Sequence, residues 1–225
     1  MGKVSEIWEE FLSVFSSAGT QLLDSVIPLL VFFASNPLFG VDVALWGALA
    51  AAGIFAAVRI ARRESLVYAL AGFGGVALAA VFVRLSGSET GFYLPGLITS
   101  AITVVLCAIS VLVNRPLVGW TSRITRRWPL DWYWHPKVLP AYNEVTILWA
   151  VAFAVQLGLK YRFYQQRNLN ALGVSEFLFG WPFTVILLVV SYLYGLWRLG
   201  NLGGPSVEEF KAGAEPPWEG QKRGF

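Results

Sequence analysis

The sequence predicts an all-α, polytopic membrane fold with six transmembrane helices, and three observations predict it. Hydrophobic residues make up 56% of the 225 and charged residues only 14%, where an average soluble domain carries about 25% charge. Mean hydropathy is +0.59. Runs of roughly 15 to 20 uncharged residues recur along the chain, about what a helix needs to cross a hydrocarbon core of about 30 Å.

Residues 1–20 precede the first span. Val4, Ile7, Trp8, Phe11, Leu12 and Phe15 recur at helical spacing, with Glu6, Glu9 and Glu10 opposite them. This predicts an amphipathic helix rather than a cleavable signal peptide, because the glutamates interrupt any apolar h-region. An acidic face gains nothing from anionic lipid, so docking onto the protein's own body is expected.

Span one, about Leu22 to Phe39, opens with LLDSVIPLLVFF. Nine strongly apolar residues up to Phe33 each favour insertion by about 0.3–0.6 kcal/mol, against at most about 3.5 for a central aspartate. Asp24 lies near the segment's end, where the penalty is lower. Pro28 frees a carbonyl near position 24, and the Asp24 carboxylate can cap the helix that restarts after it. Span two runs Val41 to Ile60, and span three Leu66 to Val83. Gly47, Ala51, Gly53 and Ala57 in one, with Ala71, Gly72, Gly75 and Ala79 in the other, predict close helix approach. Span four runs Leu94 to Val113, with Pro95 tolerated in its first turn. Span five covers about Val145 to Leu159, and span six Phe177 to Leu196.

Basic residues set the orientation. With the N-terminus inside, thirteen of the 17 fall on the cytoplasmic side and four outside, namely Arg84, Lys160, Arg162 and Arg167. Both termini are therefore expected in the cytoplasm. The loop from Asn114 to Pro140 is cytoplasmic in this scheme. Within it Leu117, Trp120, Ile124 and Trp128 share a helical face among Arg123, Arg126 and Arg127, predicting an interfacial amphipathic helix on the anionic leaflet. Trp120, Trp128, Trp132 and Trp134 read as interfacial anchors, with a headgroup-binding aromatic pocket as the sharper alternative. The bundle then occupies residues 21–198. Beyond it, residues 199–225 are rich in Gly, Pro and charge and are expected to be flexible.

Several chemistries lack their residues. One Cys, Cys107, and one His, His135, cannot assemble a disulfide, a CxxC centre or a Cys/His zinc site. No HExxH, GxSxG elbow or phosphate-cradling glycine loop occurs, nor a pair of aspartates of the kind that holds Mg²⁺. No catalytic residue, cofactor or metal is expected, and the basic balance reflects topology rather than nucleic-acid binding. What remains is a polar set at the inner helix ends: Asp24, Arg62, Arg115, Asn143 and Glu144. Ionisable groups there normally pair. Asp24 is expected to meet Arg115 or Arg62 and Glu144 another arginine, the alternative being that all face water or headgroups.

The segments LLDSVIPLLVFF, RPL at Arg115–Leu117, and LWAVAF around Trp149 resemble the intracellular septation protein A family of bacterial inner-membrane proteins. FYLPGLITSA, with the chain's length, resembles a related actinobacterial-type family of integral membrane proteins of unknown function. The resemblance spans approximately residues 20 to 198 and marks Asp24, Pro28, Arg115, Pro116 and Trp149 as family-like positions. It implies a non-enzymatic envelope protein of the bacterial plasma (inner) membrane, with membrane lipids and envelope or division proteins as partners. A small-solute or lipid transporter and a lipid-headgroup enzyme are the rival readings. Oligomeric state is left open.

Overall fold

The computed structural model describes residues 27–63 and 66–225. The expectations on residues 1–20, and on Asp24, lie outside the described residues. Among these the chain is helical, with no strand. The helices are α1 (Ile27–Phe39), α2 (Val41–Ala61), α3 (Leu66–Ser86), α4 (Leu94–Leu112), α5 (Leu117–Arg126), α6 (Leu130–Tyr133), α7 (Leu139–Gln165), α8 (Leu169–Phe179), α9 (Trp181–Leu202) and α10 (Val207–Lys211). A 3-10 turn at Glu89–Tyr93 leads into α4.

Among the described residues, four stretches are long and apolar enough to cross a membrane: Val41–Ala61, Glu89–Leu112, Leu139–Gln165 and Leu169–Leu202. Ile27–Phe39 and Phe73–Ser86 are shorter apolar helices. Helix α7 begins six residues before the expected Val145, because Pro140 sits in its first turn, where a missing N–H costs nothing. Asn143 and Glu144 thereby become helical.

Contacts divide the chain into two units. The first holds the described residues up to Pro95 together with Arg167–Phe177. Its core is Phe32, Ala44, Leu45, Ala48 and Val83, and Phe32 stacks on Phe92 at 4.1 Å. The small-residue seam expected on α2 is rotated. Ala44, Ala48 and Ala52 are the buried positions, four residues apart on one helix face. Gly47 instead faces Val31 and Gly53 the edge of Phe73, while Gly75 on α3 has open space around it and Ala79 is buried.

The 3-10 turn is clamped onto α3. A Cβ at Gly91 would lie 2.7 Å from the Phe82 carbonyl oxygen and 3.0 Å from the Val83 Cα. Beside it the Asn36 amide donates to the Glu89 carboxylate at 2.6 Å, and Arg84 pairs with Asp42 at 2.7 Å on the exposed rim.

Gly91→Ala should therefore lower stability by about 1–3 kcal/mol through backbone displacement. Gly74→Ala, which meets nothing within 4 Å, should not destabilise; thermal melts of the two variants in one detergent make the comparison.

Candidate functional site

The second unit holds Gly96–Gln166 and Leu178–Phe225, and within it the loop and the tail form one lobe. The loop's path is set at the end of α4. Asn114 takes a left-handed conformation at φ 52°, which asparagine tolerates. The Ser110 hydroxyl donates to the Cys107 carbonyl at 2.8 Å and accepts from the Leu117 amide at 3.0 Å, tying the start of α5 to α4. Pro116, buried, caps α5 with a carbonyl that accepts from Gly119. Helix α5 buries Val118, Gly119 and Ser122 and ends at Arg127, again left-handed.

Trp132 and Tyr133 on α6, with Tyr142 on α7, are fully buried and meet edge to face at 5.1–6.1 Å. Val118, Val138, Ala141, Val145, Leu199 and Val207 surround them. Trp132 is thus a core residue and not the expected interfacial anchor. Trp128 and Trp134 are partly buried against the same core, leaving Trp120 as the exposed member of the four. A WYW cluster reads alike at an interface and in a core from sequence. Here the tail covers it.

Burial obliges each polar tip to find a partner. The Trp132 indole N–H donates to the Pro205 carbonyl at 2.9 Å, and the Tyr133 hydroxyl shares a hydrogen bond with Ser122 at 3.2 Å. Burial pushes the Tyr133 phenol above its ordinary pKa, so it stays protonated.

Where composition suggests flexibility, the tail is ordered because Trp132 and Tyr142 give it something to bury against. Helix α10 starts in a reciprocal capping box between Ser206 and Glu209. The Glu209 carboxylate also accepts from the Glu219 and Gly220 amides. The Ser206 amide first, and then those of Glu219 and Gly220, pull its pKa from the ordinary glutamate range to about 2. Trp218 packs edge-on against His135, with Lys137 over its ring at 5.2 Å. Phe225 stacks on Tyr142 at 4.4 Å and lies against Gly195, a position where any side chain would overlap its ring. Arg126 donates to the Phe225 carbonyl at 3.0 Å and lies over Trp128.

The expected polar set is divided. Arg62 is exposed at the C-cap of α2, in the first unit. Arg115, Asn143 and Glu144 belong to the second. Arg115 lies 4.8 Å above the Trp134 ring and donates to the Asn114 carbonyl, while the Asn143 amide reaches Asn114 Oδ1 at 3.4 Å. Glu144 takes Arg198 in a bidentate pair at 2.8 Å and also accepts from the Tyr194 hydroxyl, joining α7 to α9. Trp149 reinforces that joint by donating to the Ser191 hydroxyl at 2.7 Å. Pro28 is buried in α1.

Two residues escaped the sequence reading. Gln156 and Lys160, one turn apart on α7, are both buried, and Gln156 Oε1 has no hydrogen-bond partner. Their shared helical face is the available signal, although the basic-residue count alone places Lys160 at the outer membrane boundary.

An all-helical chain with several helices of membrane-crossing length and apolarity, ordered around an aromatic lobe, is compatible with a multi-pass membrane protein. Residues 19–196 match the family model described as "Protein of unknown function (DUF3159)", and the chain belongs to that family. The match ends before the tail that closes the lobe. No curated protein and no solved structure matches the chain.

Trp132→Phe removes the donor to the Pro205 carbonyl and, with its smaller ring, also leaves a buried cavity; a loss of at least about 1–3 kcal/mol is expected in thermal unfolding. The Glu209 carboxyl has a depressed folded-state pKa. Its stabilisation of the tail is therefore complete above the ordinary glutamate value and lost as pH falls toward about 2. Trp218 emission should follow that loss between about pH 4.5 and 2, and Glu209→Gln should remove the pH dependence.

Proposed function

We propose that this chain is a non-enzymatic, six-span protein of the bacterial plasma membrane that acts by holding partners in the cell envelope, in septation or envelope maintenance. The spans are α1 to α4, α7 and α9, with both termini in the cytoplasm. At 21 residues α3 is about 31 Å long, enough for a bilayer core. The thirteen-to-four bias of basic residues supports this orientation, which sets the lobe on the cytoplasmic side.

The observation that carries the reading is the lobe itself. Loop and tail are folded together around Trp132, giving an ordered cytoplasmic platform, which suits binding of partners. Glu144 and Arg198 are engaged with each other at its edge, in a bracing rather than a reactive role.

Transport of an anionic solute is the second reading. Its support is the buried Gln156–Lys160 pair, a polar site within a long apolar helix.

Reporter insertions at Gly87 and Asn168 should read outside, and those at Arg127 and after Phe225 inside. An outside reading at Arg127 would overturn the topology. Native mass spectrometry from membrane-derived nanodiscs separates the two functions. A stoichiometric protein partner lost on Trp132→Ala supports the platform, whereas a small anion lost on Lys160→Gln supports transport.

A further inference from the structure

The lobe fixes the rotation of α5, and so fixes which face is left outward. Val118, Gly119 and Ser122 point into the lobe. On the other side Trp120 and Ile124 are exposed, Ile124 at 77%. At the end of α4, Leu112 at 81% and Val113 at 58% are exposed as well. Four large apolar side chains are thus presented by one short stretch of chain.

The polar residues of this face make little demand on water. Thr121 donates its hydroxyl to the Val118 carbonyl at 2.9 Å, and Thr125 to the Thr121 carbonyl at 2.6 Å. Both hydroxyls are satisfied within the helix's own backbone. Such a face tolerates contact with acyl chains.

Arginines bracket it. Arg115 precedes α5 and Arg127 follows it, both exposed. Arg115 is held over Trp134, which in turn packs against Trp120 at 5.7 Å. Its one hydrogen bond to the Asn114 carbonyl leaves most of a five-donor guanidinium fork for other acceptors. Arginine's fork matches phosphate geometry, and a tryptophan beneath it limits the entropy lost on binding. A ten-residue helix is about 15 Å long, so the two arginines serve separate headgroups, one at each end.

We propose that this face, Leu112, Val113, Arg115, Trp120, Ile124 and Arg127, docks anionic phospholipid, with the apolar side chains at the acyl boundary and the two arginines on headgroup phosphates. Charge complementarity selects the occupant. A second protein would have to match exposed leucine and isoleucine between two arginines, whereas an anionic leaflet supplies both chemistries at once. The inference rests on the membrane reading above, since the face must lie at the bilayer surface.

The test uses the full chain in nanodiscs of phosphatidylcholine containing a minor fraction of phosphatidylglycerol, with native mass spectrometry counting the lipids retained. The parent should retain phosphatidylglycerol over phosphatidylcholine. Arg115→Gln or Arg127→Gln should each weaken that retention about fivefold, and the double variant about 25-fold. Ile124→Ser should weaken retention of both lipids. Arg127→Gln and Ile124→Ser, at exposed positions, should melt as the parent does. A double variant that retains phosphatidylglycerol like the parent overturns the lipid site. If the chain enters nanodiscs yet shows no preference for phosphatidylglycerol, the lipid site alone fails. If the chain does not enter nanodiscs, the membrane reading fails with it.

Discussion

An indole buried to zero exposure must hand its N–H to an acceptor, because an unpaired donor in the interior costs about 1–3 kcal/mol. For Trp132 that acceptor is the carbonyl of Pro205, some seventy residues along the chain. Much of the second unit follows from this contact. Once Pro205 is held against α6, the chain beyond α9 is committed to return over the loop, and Val207 joins Val118 and Val138 in one core. Gly204 then meets the Lys137 carbonyl so closely that a Cβ would lie 2.9 Å from its oxygen. Together the loop and the tail bury an aromatic core.

The same economy governs the helix ends. Glu144 would be costly to bring into an apolar helix by itself, but its carboxylate receives two N–H groups of Arg198 and the hydroxyl of Tyr194. Exposure of about a third on both partners keeps the desolvation cost low. The pair therefore braces α7 against α9 where Trp149 and Ser191 already join them. Of the residues read from sequence as a candidate binding cluster, Glu144 is used here in construction, Arg62 stands exposed in the first unit, and Arg115 lies over Trp134 at the start of α5.

Helix positions were legible in the sequence because apolar length and proline placement are local properties. Helix α2 was expected at Val41–Ile60 and runs Val41–Ala61; α4 was expected at Leu94–Val113 and runs Leu94–Leu112. Lateral relations were not legible. That Glu144 would find an arginine followed from its position, but nothing local marks Arg198 rather than Arg115 as the partner. The tail shows the limit most clearly. Gly, Pro and charge suggest a flexible segment, and the capping box at Ser206–Glu209 was the one local sign of order. Its long-range reason, a buried tryptophan awaiting an acceptor, exists only in three dimensions. On α2 the expected Gly47 and Gly53 do lie against Val31 and Phe73, but the fully buried stripe is Ala44, Ala48 and Ala52, packed in the core with Phe32.

The central claim, that loop and tail are one folded lobe, is tested most directly by amide hydrogen exchange of the full chain in nanodiscs. Slow exchange is expected at Val207, Glu209, Glu219 and Gly220, whose amides are bonded to Gln221, Ser206 and the Glu209 carboxylate, and faster exchange throughout the tail in Trp132→Ala. Exchange in the parent at the rate of an unstructured peptide would contradict it.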